Sequence, residues 1–114
     1  MAYDETLAAR IRKAVVRKKG FGEKAMFGGA AFLLDGNMCV GVHKDSMIVR
    51  LDPDATAAAL KEKHTRVFDL TGRPMKGWIL VEPAGLATDA ALRRWIDVAI
   101  RFAAALQKKS GRRS

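Results

Sequence analysis

The stretch KAMFGGAAFLLDGNMCVGVHKDSMIVRL, residues 24–51, decides the fold of this chain. Lys24 to Phe27 read as a short strand stopping at Gly28-Gly29, and Ala30 to Leu34 as a second. Asp35-Gly36-Asn37 is a strong turn signal, since these residue types accept the left-handed backbone of a short hairpin loop. Met38 to His43 form a third strand and Lys44-Asp45 a second tight turn. In the fourth strand, Ser46 to Leu51, the residues Met47, Val49 and Leu51 alternate with Ser46, Ile48 and Arg50. Turns this short leave no room for a crossover, so successive strands pair antiparallel as a meander.

Helical patterns flank the meander. From Asp4 to Lys19 the residues Leu7, Ile11, Ala14 and Val15 recur at helical spacing, with Asp4 as the cap. Arg17, Lys18 and Lys19 put positive charge in the last turn, and Gly20 is a natural stop. The opposite face carries Arg10, Arg12, Lys13 and Arg17. Asp52-Pro53 opens a second helix reaching about Lys63, with Ala57, Ala58 and Leu60 expected inward. Val67 to Leu70 read as a strand and residues 71–74 as a turn, before a strand from Gly77 to Glu82. That strand is apolar on both faces and therefore expected to be central. Pro83 and Gly85 break it. Thr88 then caps a long helix whose stripe is Leu92, Trp95, Ile96, Ala99, Phe102, Ala103 and Leu106. The pattern is α+β, with three helices, a meander and a later strand pair in one domain over residues 1–107. Residues 108–114 read as a basic, disordered tail.

The 114 residues suffice for one core without metals or disulfides. Cys39 is the single cysteine, so an internal disulfide is excluded and a reducing, cytoplasmic location is expected. The first residues do not form a secretory signal, and no stretch is apolar enough to cross a bilayer. The net charge of +9 is unevenly placed. Residues 1–24 hold seven Lys/Arg against three acids, and residues 101–114 hold five with none. Residues 25–100 hold nine of each sign. Basic ends attract phosphate or acidic partners, and they also solubilise.

Catalytic chemistry finds few candidates. Cys39 and His43, an even number of positions apart, are expected to share one face of an extended strand, but four positions are roughly 13 Å, too far for a thiolate–imidazole pair. Cys39 is expected in the core, His43 at the surface, and His64 over the last carbonyls of the second helix. One cysteine and two scattered histidines do not make a zinc site, and no cofactor motif is present, so no metal, cofactor or catalytic residue is assigned. Asp52 and Asp54 belong to a helix start, Asp35 and Asp45 to turns, and Asp69 has no local explanation. Trp78 and Trp95 fall on core positions rather than on a stacking platform. Two places could hold an anion or a partner. One is the corner Phe27, Gly28 and Gly29, where a strand bend is the competing account. The other is the segment TGRPMKGW, which puts Arg73 and Lys76 between two glycines.

The runs EKAMFGGAAFLLDGNMCVGV (23–42) and DLTGRPMKGWILVEP (69–83) together resemble the N-terminal domain of the TfoX/Sxy family. The opening AYDETLAARIR and the final helix fit the same pattern, so the resemblance covers residues 2–106. It implies a two-layer α/β sandwich with an antiparallel sheet of about five strands packed on helices. It also implies a non-enzymatic role, since the family's namesakes regulate natural competence alongside a transcription activator. Those regulators carry a second helical domain, and residues 108–114 here are expected instead to be a short basic tail.

The leading expectation is a regulatory interaction module acting by protein contact, with Phe27, Gly28, Gly29, Arg73 and Lys76 as its surface. A transcription activator is the expected type of partner, a homodimer is allowed, and a membrane is not expected. The alternative is nonspecific nucleic-acid binding through Arg12, Arg17, Lys18, Lys108, Lys109, Arg112 and Arg113, with steep loss of affinity in salt.

Overall fold

The computed structural model describes residues 3–16, 18–26, 29–68 and 76–106. Its elements run in the order α1 (Glu5–Val15), β1 (Phe21–Met26), β2 (Gly29–Leu34), β3 (Asn37–His43), β4 (Ser46–Arg50), α2 (Thr56–Ala59), β5 (Thr65–Val67), β6 (Trp78–Val81) and α3 (Asp89–Ala104). The strands form one six-stranded antiparallel sheet in the order β1-β2-β3-β4-β6-β5. The sheet thus has six strands where about five were expected, because the meander contributes four and the later pair both join it. β6 lies inside the sheet, with Ile79, Leu80 and Val81 buried on its two faces, as its unbroken apolar run requires.

The turn chemistry sets the meander. Asp35 and Gly36 both take positive φ, of 52° and 84°, between the paired residues Leu34 and Asn37. That is the hairpin geometry whose twist matches the flanking strands. The start of β2 is fixed by close approach instead. A Cβ on Gly29 would overlap the carbonyl oxygen of Val42, so only glycine fits there.

One face of the sheet carries α1 and α3. Leu7, Ala8, Ile11 and Val15 from α1, and Leu92, Trp95, Ile96, Ala99 and Ala103 from α3, pack on Phe32, Val40, Val42, Met47, Val49, Ile79 and Val81. Both helices begin as their sequences dictate: the Leu7 amide donates to the Asp4 carboxylate and the Ala91 amide to the Thr88 hydroxyl. The other face holds a smaller cluster of Ala31, Met38, Ile48, Phe68 and Leu80, flanked by Leu33 and Trp78. Ile48 is therefore buried on this second face. Among the described residues, no helix is long and apolar enough to cross a membrane.

Several local expectations change, among them the strand expected from Val67, which runs Thr65–Val67. The first helix stops at Val15 rather than Lys19, with Val16 at its end and the Lys18 amide closing the turn onto the Val15 carbonyl. The second helix is a 3-10 turn followed by four α residues, and it buries Thr56 and Ala59 while Ala57 and Ala58 face water. The Thr65 hydroxyl, not His64, donates to the carbonyls of Ala59 and Glu62 at its end. Finally, the register between β2 and β3 shifts at Phe32/Leu33, leaving Cys39 as an extra residue between Met38 and Val40. The bulge breaks the period of two. Cys39 joins the helix-side core, while His43 meets Phe68 of the opposite cluster edge to face at 6.1 Å. The shared face expected for Cys39 and His43 does not exist.

Candidate functional site

The helical layer sorts its cations into two groups. Arg10 pairs with Asp89 at 3.2 Å, and Arg94 with Glu62 at 2.7 Å. Arg12 grips Glu23 of β1 with two bonds of 2.9 and 2.8 Å. That fork holds the Glu23 carboxyl below its ordinary pKa and the Arg12 guanidinium above its own, chiefly through the hydrogen bonds themselves. Arg66 of the edge strand β5 pairs with Glu82, just after β6, at 3.0 Å. Among the described residues, Lys13, Lys18 and Arg93 are exposed and belong to no ion pair, and the same holds for Lys19, Lys24, Lys44, Lys61, Lys63, Lys76 and Arg101.

Lys13, Lys18 and Arg93 line one groove. Arg10, midway along α1, meets Asp89 at the start of α3, and Lys13 and Val16 stand beside Arg93, Ile96 and Asp97 farther along, so α1 and α3 run in the same sense. The groove between them, of about 680 Å³, has Ala14, Val16 and Ile96 as its apolar part and Asp97 as its one carboxylate among the described lining residues. Val16 is 69% exposed because α1 ends there and the chain drops toward β1. It also lines an adjoining hollow of about 200 Å³ with Phe21 and Lys18. Val16 is thus an apolar ridge between two hollows, ringed by positive charge.

The residues with catalytic potential sit elsewhere. Cys39 is fully buried, and desolvation pushes its thiol up to about 12, only partly offset by the Arg50 charge. The Arg50 guanidinium is held between the rings of Trp78 and Phe102, at 5.3 and 5.4 Å. His64 is exposed, with a positive φ of 67°, and its carbonyl accepts from the Glu82 amide. Among the described residues, no group of three or more His, Cys, Asp or Glu is placed to hold a metal ion.

The expected site residues are dispersed. Gly29 is buried at the end of the sheet where β2 begins, beside Val42. Lys76 is exposed just before β6, at the opposite end, where Trp78 pairs with Arg50. The ladder that runs from Val42 through Met47 to Val81 puts the Gly29 end and the Lys76 end a full strand length apart. Phe27, Gly28 and Arg73 lie outside the described residues, as do Arg17, Lys108, Lys109, Arg112 and Arg113. Of the residues expected to touch nucleic acid, Arg12 is engaged by Glu23 and Lys18 lines the groove. Val16, Arg93 and Asp97 were not among the expected contacts. Val16 carried the one available signal, an apolar residue outside the helical stripe and just ahead of the basic run.

A family model, the TfoX N-terminal domain, matches residues 15–103. No curated protein and no solved structure matches the chain.

Proposed function

We propose, because this chain belongs to the TfoX N-terminal domain family, that it is a non-enzymatic regulatory module that works by binding another protein in the cytoplasm. The namesakes of that family regulate competence with a transcription activator, and transcription control is the role we assign to the contact. The observation carrying this reading is the set of Lys13, Lys18 and Arg93 around exposed Val16. Arg10, Arg12 and Arg94 are neutralised by carboxylates within the fold, and among the cations that are not, Lys13, Lys18 and Arg93 gather in one groove around an exposed apolar side chain.

A second reading, sequence-independent binding of nucleic acid, is favoured by the same unpaired charge and by the basic residues 108–113. The two differ in their response to salt. Phosphate contacts release counterions and weaken steeply with ionic strength, whereas a contact with an apolar centre does not. The test is capture on the tagged full chain at roughly 0.15 and 0.5 M salt, with and without nuclease. A stoichiometric protein that survives both nuclease and the higher salt is the expected result. Nucleic acid that leaves with salt, with no protein retained, would replace this reading with the second.

A further inference from the structure

We propose that the groove between α1 and α3 docks an acidic amphipathic helix from the partner, seated on Val16 and held by Lys13, Lys18 and Arg93. The proposal rests on the reading of the chain as a protein-contact module, and it names the surface and the chemistry of what binds there. Two helices running in the same sense leave a trough between them, and a third helix can lay its apolar side chains into it. The trough, at about 680 Å³, far exceeds one side chain, and the hollow beyond Val16 extends it toward Phe21.

Charge selects the sign of the occupant. Three cations and one carboxylate give the described lining a net +2. An incoming helix with glutamates flanking its apolar stripe would meet those cations, and its side chains would remove Val16 from water. The apolar contact supplies affinity and the charges supply orientation. Other occupants fit less well. The terminal segment QKKSGRRS carries four positive charges and would be repelled. A second copy, itself at +9, would present its own basic layer. Nucleic acid would meet Asp97 and an apolar ridge, and none of the described residues lining the larger hollow is aromatic.

The test uses the full chain and a fluorescein-labelled synthetic helix with leucines on one face and glutamates beside them. The control is a scrambled peptide of the same composition, and binding is read by anisotropy. The amphipathic helix is expected to bind more tightly than the scramble. Val16→Asp should weaken it at least roughly tenfold, as burial of a valine would imply. Lys13→Glu and Arg93→Glu should each weaken it roughly two- to fivefold, and Asp97→Asn should strengthen it. Val16 is exposed at a helix end, so these variants should keep the wild-type circular dichroism. Equal binding of the scramble, or no effect of Val16→Asp, overturns the proposal. So does displacement of the peptide by duplex DNA whose own binding tracks the same variants. Capture from cells separates this from the broader reading: a partner retained by Val16→Asp and Arg93→Glu sinks the groove but keeps the module. Absence of any protein partner sinks the module itself.

Discussion

Cys39 offers a direct test of whether this fold hides a nucleophile. Its side chain is fully buried in the helix-side core, and desolvation raises its pKa from 9.0 to about 12. At pH 8 that lowers the thiolate fraction about a thousandfold, and only the thiolate attacks iodoacetamide. Access is the stronger restriction, because the reagent cannot reach a side chain with no exposed surface. Alkylation must then pass through opened molecules, in which the thiol has its ordinary pKa. β3 is an internal strand, so opening it approaches global unfolding. For a stability of roughly 5–10 kcal/mol, about one molecule in 10⁴ to 10⁷ is open. Native alkylation should thus be at least about 10⁴-fold slower than in denaturing urea. Its logarithm should rise with urea in proportion to the surface exposed on unfolding. The assay is mass-spectrometric labelling over a urea series at pH 8. A native rate within roughly a hundredfold of the denatured one, independent of urea, would refute the burial argument. It would also return Cys39 to the list of catalytic candidates.

Three further outcomes follow from single contacts. Gly29→Ala places a methyl group against the Val42 carbonyl and should cost about 1–3 kcal/mol in urea unfolding as the β2–β3 ladder shifts; an unchanged midpoint would mean the strands part freely there. Thr56→Val keeps the shape but removes the buried acceptor of the Gly77 amide at 2.8 Å, so a loss of about 1–3 kcal/mol is expected at equilibrium. Glu23→Gln weakens the fork with Arg12 and should cost about 0.5–1 kcal/mol at pH 7, since the pair is partly exposed. The folded pKa of Glu23 is depressed, so this contribution is complete above the ordinary glutamate value and disappears as pH falls through the folded one. Unfolding curves of wild type and variant should therefore converge in acid, and a difference that persists there would assign the effect to packing.

The meander was legible because its signals are local. Asp35-Gly36 writes its own hairpin, and Asp4 and Thr88 cap the helices that follow them. What could not be read depends on pairing across the sheet. The bulge at Cys39 arises only when β3 is laid against β2, and it reverses the face on which every later residue of β3 lies relative to Cys39. The end of α1 at Val15 was missed because basic residues and Gly20 mark a helix end anywhere within a turn of it. The expected partner surface joined Gly29 to Lys76 through their shared glycine-rich character, and the strand register sets them at opposite ends. The groove was hidden for the same reason. Its sides come from residues 13–18 and 93–97, and only the packing of α1 beside α3 brings them together.

Folding alone does not account for that groove. A valine is a weaker helix former than most residues, and at 69% exposure Val16 gains little from burial in return. Three cations share the groove with one carboxylate, Asp97, so positive charge is left in excess there. The same helical layer shows that carboxylates were available as a solution, since Glu23 faces Arg12 and Glu62 faces Arg94. An apolar side chain in water and an uncompensated charge cluster are independent departures from what stability favours. Scattered over a surface, each would be ordinary. Here they coincide at one helix end, beside a trough whose walls are fixed by side chains packed on the sheet. Sequences that are otherwise locally consistent break their own rules where they must bind something. A partner bringing acidic residues around an apolar stripe would remove both departures at once, whereas a bare phosphate backbone would relieve only the charge.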